Sequence, residues 1–226
     1  MRKCSIEIDL SDKGNNLYVF FGGIAAGIAM PPFEFYNASK IIHEHKIFIR
    51  DFSQSWYQNG LLGLTNDIHS TARLIKNRID EISPDDVFFV GNSMGGYAAI
   101  LFSTIIGVGE VIAFSPQTFI SPVLRFKHKD ARWKKKINNT YIRSIFKPKV
   151  WDLRNLLLRA DSNRKISIHV SRDDRLDYIH ALHIADIKGV KIFEYDGGGH
   201  NVVKLLRDQG RLPEIMSIGK SGCRDS

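Results

Sequence analysis

The chain has 226 residues, 43% of them hydrophobic and 11% aromatic, and a formal net charge of +8 at pH 7. Such a length and apolar content allow one substantial core and exclude a disordered chain, and the two cysteines, Cys4 and Cys223, stand too far apart in sequence for a disulfide framework or a metal-ligand spacing. The positive charge is local: Arg125 to Lys149 carries ten Lys or Arg against the single acid Asp130, while the rest of the chain is close to neutral.

Met1 to Asp9 shows no apolar stretch and no small-residue cleavage site, so no secretion signal is expected. The longest apolar tract, Leu17 to Phe35, is broken by Gly22, Gly23, Gly27, Pro31 and Pro32 and does not read as a membrane span. The expected compartment is the cytoplasm. Ser5 to Asp9 alternates weakly, as an edge strand does, and Leu17 to Phe21 is a short apolar run opening into Gly22-Gly23, the pattern of a buried strand that ends in a loop. Phe33 to His45 has the character of a helical crossover, and Lys46 to Arg50 reads as a second buried strand.

Ile68, Ala72, Ile75, Ile79 and Ile82 recur at three-to-four-residue spacing, which predicts an amphipathic helix ended by Ser83-Pro84-Asp85-Asp86. Val87 to Val90 is the next strand. It runs into Gly91-Asn92-Ser93-Met94-Gly95 and then into the helix-like Tyr97 to Phe102, which stops near Gly107 and Gly109. Apolar runs at Val111–Phe114, Ile166–Val170 and Val190–Tyr195 follow, with helical stretches at Ile179–Ile187 and Val202–Leu206. Strands alternating with helices predict a single α/β domain over 1–226 with a mostly parallel central sheet covered on both faces. Residues 123–160 interrupt the alternation as a basic cap insertion, with Trp133, Tyr141, Ile142, Ile145, Phe146 and Trp151 as its apolar anchors on the sheet edge.

Strand, sharp turn and helix around Ser93 form the context in which a serine hydroxyl projects from a strained turn at the end of a sheet. A serine needs a base within hydrogen-bond reach, and that base needs a group to hold its tautomer. His200 follows the last strand in Asp196-Gly197-Gly198-Gly199-His200, where three glycines let the loop turn tightly. The acid belongs in the loop after Ile166–Val170. Position favours Asp174, whereas the apolar neighbours Leu176, Tyr178 and Ile179 favour Asp177, and Asp173 and Asp174 are bracketed by Arg172 and Arg175 as if for exposed ion pairs. Negative charge on a tetrahedral intermediate needs backbone donors: the N–H of Met94 and one from the loop after Phe21, Gly23 or Ile24. Trp56 and Tyr57, beyond the second buried strand, are candidates for stacking on a sugar ring. His180 and His183 stand one helical turn apart without further ligands, so no metal site is expected.

On these residues the chain resembles the α/β-hydrolase superfamily: Gly22-Gly23 as the oxyanion loop, Gly91 to Gly95 as the nucleophile elbow, then Asp177 or Asp174, then His200 in the family's chain order. It departs at the amino end, where there is room for about one strand before the oxyanion strand rather than two. The resemblance implies an α/β-hydrolase fold with a cap where the basic segment lies. It also implies a serine-nucleophile esterase or thioesterase forming an acyl-enzyme on an anionic small-molecule or carbohydrate ester, with no cofactor needed for hydrolysis. The alternative is an O-acyltransferase moving an acyl group from acyl-CoA, as co-substrate, to a bacterial polysaccharide. An alternative of another class is a non-catalytic basic binding module on the same fold. Nucleic acid is not an expected partner of a cap over a serine site, and a peripheral membrane contact is compatible with the basic segment.

Overall fold

A computed structural model describes residues 4–24, 35–160 and 164–217. Seven strands form one sheet: β1 (Ile6–Asp9), β2 (Leu17–Phe21), β3 (His45–Ile49), β4 (Val87–Asn92), β5 (Glu110–Phe114), β6 (Ile166–Ser171) and β7 (Val190–Tyr195), in the order β1-β3-β2-β4-β5-β6-β7. Only β1 runs antiparallel, against β3; every other pairing is parallel. Among the described residues one strand, β1, precedes β2. The helices are α1 (Ile68–Ile82), α2 (Met94–Ile106), α3 (Pro122–His128), α4 (Lys134–Arg143), α5 (Leu153–Leu157), α6 (Arg175–Leu182), α7 (Val202–Asp208) and α8 (Leu212–Ser217).

Parallel strands covered on both faces have no polar side, and β2 is buried at all five positions. Its side chains alternate between two cores. Leu17, Val19 and Phe21 join α1, α2, α5 and Ala181 of α6, whereas Tyr18 and Phe20 join Val202 and Leu206 of α7 and Leu212, Ile215 and Met216 of α8. The Tyr18 hydroxyl donates to the Met216 carbonyl at 2.6 Å, tying the last helix to the sheet centre, and burial pushes that phenol up to about 12.

The amphipathic helix lies where its periodicity placed it, with Asp67 as N-cap in a capping box with Ser70. The crossover expected over 33–45 differs. Phe33 and Glu34 lie outside the described residues, and from Phe35 onward only a short 3₁₀ turn, Ala38–Ile41, forms. Phe35, Ile42 and the intervening polar residues offer too few apolar positions at helical spacing to hold a longer helix on the sheet. Among the described residues no helix is long and apolar enough to cross a membrane.

The elbow is set by two close backbone approaches. A Cβ on Gly91 would lie 2.1 Å from the Gly95 carbonyl oxygen, and a Cβ on Gly95 would lie 2.2 Å from the Phe21 carbonyl oxygen. Neither atom belongs to a flexible side chain, so both positions exclude any residue larger than glycine. Gly95→Ala forces α2 away from the end of β2; overpacking of this kind costs about 1–3 kcal/mol, and a thermal melt is expected to show a fall of about 3–10 °C.

Candidate active site

Ser93 occupies the turn between β4 and α2 with φ 55° and ψ −116°, a conformation that L-residues avoid. The turn is fastened on both sides: the Ser93 N–H donates to the Phe114 carbonyl at 2.9 Å, and the Ser93 carbonyl accepts from the N–H groups of Tyr97 at 3.0 Å and Gln117 at 3.3 Å. The residue is 4% exposed, and its hydroxyl has no hydrogen-bond partner among the described residues. Met94 opens α2, so its N–H is one of the first-turn donors for which a helix holds no acceptor of its own. Because the Phe21 carbonyl rests on Gly95, the loop carrying Gly23 and Ile24 leaves β2 directly beside this helix start.

His200 stands in a 3₁₀ turn, Gly199–Asn201, after β7, and all three glycines before it have positive φ: 86° at Gly197, 85° at Gly198 and 50° at Gly199. Its Nδ1 lies 2.6 Å from Oδ2 of Asp177. A carboxylate only accepts, so Nδ1 carries the proton and Nε2 of the neutral ring is the basic nitrogen. The His200 side chain is 32% exposed and the Asp177 side chain 0%. Of the two acids weighed from the sequence, His200 therefore bonds Asp177, in the first turn of α6. Asp174 is the N-cap of that helix, with Oδ1 accepting from the Leu176 and Asp177 N–H groups at 3.0 Å each. The bracketing arginines do not pair with Asp173 or Asp174: Arg172 bonds Glu194 at 2.7 Å, and Arg175 donates to the His128 carbonyl at 3.2 Å.

The second oxygen of Asp177 is held from the basic insertion. Arg132 donates from Nη1 to Asp177 Oδ1 at 2.6 Å, and from Nε and Nη2 to the two oxygens of Asp130 at 3.2 and 3.1 Å. The sole acid of the basic run is thus buried against its neighbour's guanidinium. Asp130 Oδ2 also lies 3.2 Å from Nε2 of His180, which is 1% exposed. His180 Nδ1 accepts the Thr118 N–H at 3.1 Å, so that nitrogen is bare and the proton sits on Nε2, pointing at Asp130. Burial holds His180 below the usual histidine range against the opposing pull of Asp130, so the contact is a hydrogen bond from a neutral ring rather than an ion pair.

These contacts set the protonation of the central pair. Burial alone would push Asp177 up, but the hydrogen bonds and charges of His200 and Arg132 hold it below the usual carboxylate range. The hydrogen bond to Asp177 raises His200 above 6.5 against its partial burial, and the Arg132 charge restrains the rise. Asp174, Asp177 and His200 each place one potential ligand atom within 4.8 Å of the others. Their facing atoms are already engaged by one another, by Arg132 and by helix N–H groups, which makes the trio a hydrogen-bonded acid–histidine pair beside a helix cap.

Trp56 and Tyr57 stand differently from the sequence expectation. Both are 0% exposed, so neither presents a ring face to a sugar. Asp51 folds the loop over itself, accepting from the N–H groups of Ser53, Ser55 and Tyr57 at 2.8, 2.6 and 3.0 Å, and this turns both rings inward. Trp56 Nε1 donates to Gln117 at 2.8 Å, next to the turn at Ser93, and the Tyr57 hydroxyl lies 3.0 Å from the Gly22 carbonyl. They brace the loops around the serine. Arg132, Asp130, His180 and Gln117 had no place in the site expected from the sequence; Asp130 as the one acid in a basic run was the available signal. Beside the site, a cavity of about 580 Å³ is lined by Asn92 and Asn201, the chain neighbours of Ser93 and His200, together with Tyr36, Lys204 and Arg207.

No protein-family model and no curated protein sequence matches this chain. Solved structures do. The capsule O-acetyltransferase of Neisseria meningitidis serogroup A superposes with a TM-score of 0.71 at 16% identity, over 95% of this chain and 92% of that one. A mutant of the same enzyme in complex with CoA gives 0.65 at 15% identity, over 95% and 93%. An α/β hydrolase enzyme from a Medee basin deep-sea metagenome library gives 0.62 at 12% identity, over 98% and 95%. The chain has the α/β-hydrolase fold.

The charge network makes opposite demands on two variants. Asp177→Asn removes the group that raises His200, so the histidine's NMR titration midpoint is expected to fall; Arg132→Met removes a restraining charge, so the midpoint is expected to rise. In the wild type, His200 has a folded pKa above its unfolded value. Its stabilising contribution is therefore complete below about pH 6.5 and is lost as pH rises through the folded pKa. For Asp177, with a lowered folded pKa, the contribution holds above about pH 4 and disappears as pH falls through the folded value. Melts across pH are expected to show a stability plateau falling away on both sides.

Proposed function

We propose that this protein is a serine acyl-transfer enzyme in which Ser93 is the nucleophile, His200 the general base and acid, and Asp177 the group that orients His200. The observation that carries this reading is the 2.6 Å bond from His200 Nδ1 to a fully buried Asp177, on a fold that holds Ser93 in a left-handed turn with an unpartnered hydroxyl. Asp174 serves as the cap of α6 that positions Asp177.

In the first half-reaction Ser93 Oγ attacks the acyl carbonyl while Nε2 of His200 takes its proton. The N–H of Met94 and that of Gly23 or Ile24 receive the charge that develops on the carbonyl oxygen. The bond to the leaving group breaks, and His200 returns the proton to the departing thiolate or alkoxide. In the second half-reaction an acceptor hydroxyl attacks the acyl-enzyme, His200 takes the acceptor's proton, and Ser93 Oγ leaves and is reprotonated. Asp177 stays ionised throughout and stabilises the imidazolium formed in each step.

The acceptor in this reading is a carbohydrate hydroxyl and the donor an acyl-CoA. Support comes from the near-complete coverage of both chains in the match to the capsule O-acetyltransferase, one structure of which holds CoA. The cavity lined by Asn92 and Asn201, the chain neighbours of Ser93 and His200, supports it too, because Lys204 at its wall suits an anionic donor. The second reading, hydrolysis with water as acceptor, is favoured by the comparable superposition of hydrolases.

Acyl-CoA and p-nitrophenyl esters, each supplied with and without oligosaccharide acceptors, distinguish these readings. Acceptor-dependent release of CoA is expected, with Ser93→Ala reducing it by at least about 10³-fold. Release that ignores acceptor assigns hydrolysis, and equal rates in wild type and Ser93→Ala remove the acyl-enzyme altogether. Because Nε2 of His200 acts as a base only when unprotonated, the rate is expected to rise with pH through the elevated His200 pKa and then level.

A further inference from the structure

The sequence places Ile142, Ile145 and Phe146 as anchors that hold the basic segment on the sheet, and the structure does the reverse. The segment is fastened by other groups: Ile137, Thr140 and Ser144 are buried, and Trp133, Tyr141 and Trp151 are half-buried against the core. Ile142 remains 67% exposed, Ile145 55% and Phe146 99%, and α3 adds Val123 at 74% and Phe126 at 89%. Among the described residues, the four most exposed large hydrophobic side chains all fall within 123–146. Scattered exposed apolar residues need no explanation, but a concentration of the most exposed ones does.

One groove, through Lys149, links the two parts of the segment that carry these residues. Val123 and Phe126 are three positions apart on α3 and project the same way. Val123 and Lys149 line a common groove of about 460 Å³ with Trp151 and Arg159, and the Lys149 ammonium donates to the Ile145 carbonyl at 3.3 Å. That contact joins the α3 side to Ile145 and Phe146. On α4 the inward positions are Ile137 and Thr140, which turns Lys134, Lys135, Asn138, Asn139, Ile142 and Arg143 outward.

The exposed charge of the segment has one sign, and Asp152 at the wall of the groove is engaged by His183 at 2.8 Å and by the Arg154 N–H at 3.0 Å. Lys127, Lys129, Lys134, Lys135, Arg143 and Lys149 are exposed, while the only acid between 122 and 150, Asp130, is buried with Arg132. Apolar tips standing above a field of lysine and arginine fit one surface best: a plane that is anionic at the headgroups and apolar just beneath them. A second copy of the chain fits poorly, because a self-complementary contact would set one uncompensated cluster of bases against another. A soluble polyanion would satisfy the bases and leave two phenylalanines, at 89% and 99% exposure, in water.

We infer that the basic segment is a docking face for anionic phospholipid bilayers, with Phe126 and Phe146 entering the headgroup boundary and the exposed lysines and Arg143 neutralising lipid charge. The inference stands apart from the acyl chemistry and is tested without it. Intact protein is floated with vesicles of phosphatidylcholine alone, or with roughly a third phosphatidylglycerol. Wild type is expected on the anionic vesicles only. The double variant Phe126→Ser/Phe146→Ser is expected to lower partitioning at least about tenfold while leaving both retention on heparin and the thermal melt unchanged. Lys134→Glu/Lys135→Glu is expected to weaken both vesicle and heparin binding. The inference is overturned if wild type stays off anionic vesicles, or if either double variant partitions as wild type does. It is also overturned if wild type sediments as a dimer that Phe126→Ser/Phe146→Ser converts to monomer.

Discussion

The contact between Gly95 and the Phe21 carbonyl organises this molecule. It exists because β2 and β4 are adjacent parallel strands whose carboxyl ends finish level, with Phe21 paired to Gly91, and because neither glycine carries a side chain that would hold α2 away. With α2 pressed against the end of β2, the left-handed turn at Ser93, the first N–H of the helix and the Gly22-Gly23 loop all converge on one small volume. The strain at Ser93 is carried by the neighbouring loops: Phe114 and Gln117 bond its backbone, and Trp56 locks Gln117. A residue held this way keeps its conformation because everything around it is overdetermined.

The second constraint is electrostatic. A carboxylate with no exposure cannot remain ionised without partners, and Asp177 has two, one on each oxygen. His200 comes from the last loop of the sheet and Arg132 from the insertion after β5, so the charge balance of one buried group joins distant parts of the chain. Asp130 completes the arrangement by sharing Arg132 and accepting the hydrogen bond from His180 Nε2, and Thr118 closes the chain by fixing the His180 tautomer. Each donor in this series has an acceptor, which is the condition for a buried polar network to add rigidity rather than cost stability.

Much of this was legible in the sequence because short-range rules govern it. The strands are continuous apolar runs, α1 has a clean three-to-four repeat, and the strand–turn–helix around Ser93 requires glycine at positions where the sequence has it. The choice between Asp174 and Asp177 hinged on a helix cap: the apolar pattern starts the helical stretch only at Ile179, whereas α6 begins at Arg175, which makes Asp174 the cap and turns Asp177 inward. Trp56 and Tyr57 were misjudged because Asp51, five residues earlier, curls the backbone through positive φ and reverses the direction of both rings. The outward position of Phe146 and the inward position of Arg132 were equally hidden. Composition reports that a segment holds aromatics and bases, but which of them face the core depends on where its short helices start, and Trp133 at the left-handed N-cap of α4 sets that phase.

The bidentate hold of Arg132 also bears on how chains of this architecture can diverge. Here Arg132 of the insertion is the counter-ion of Asp177, so recombination that imports a different insertion would leave Asp177 with His200 as its partner and one oxygen without its guanidinium. The insertion and the helix bearing Asp177 are thus coupled, split across the sequence but exchangeable only together.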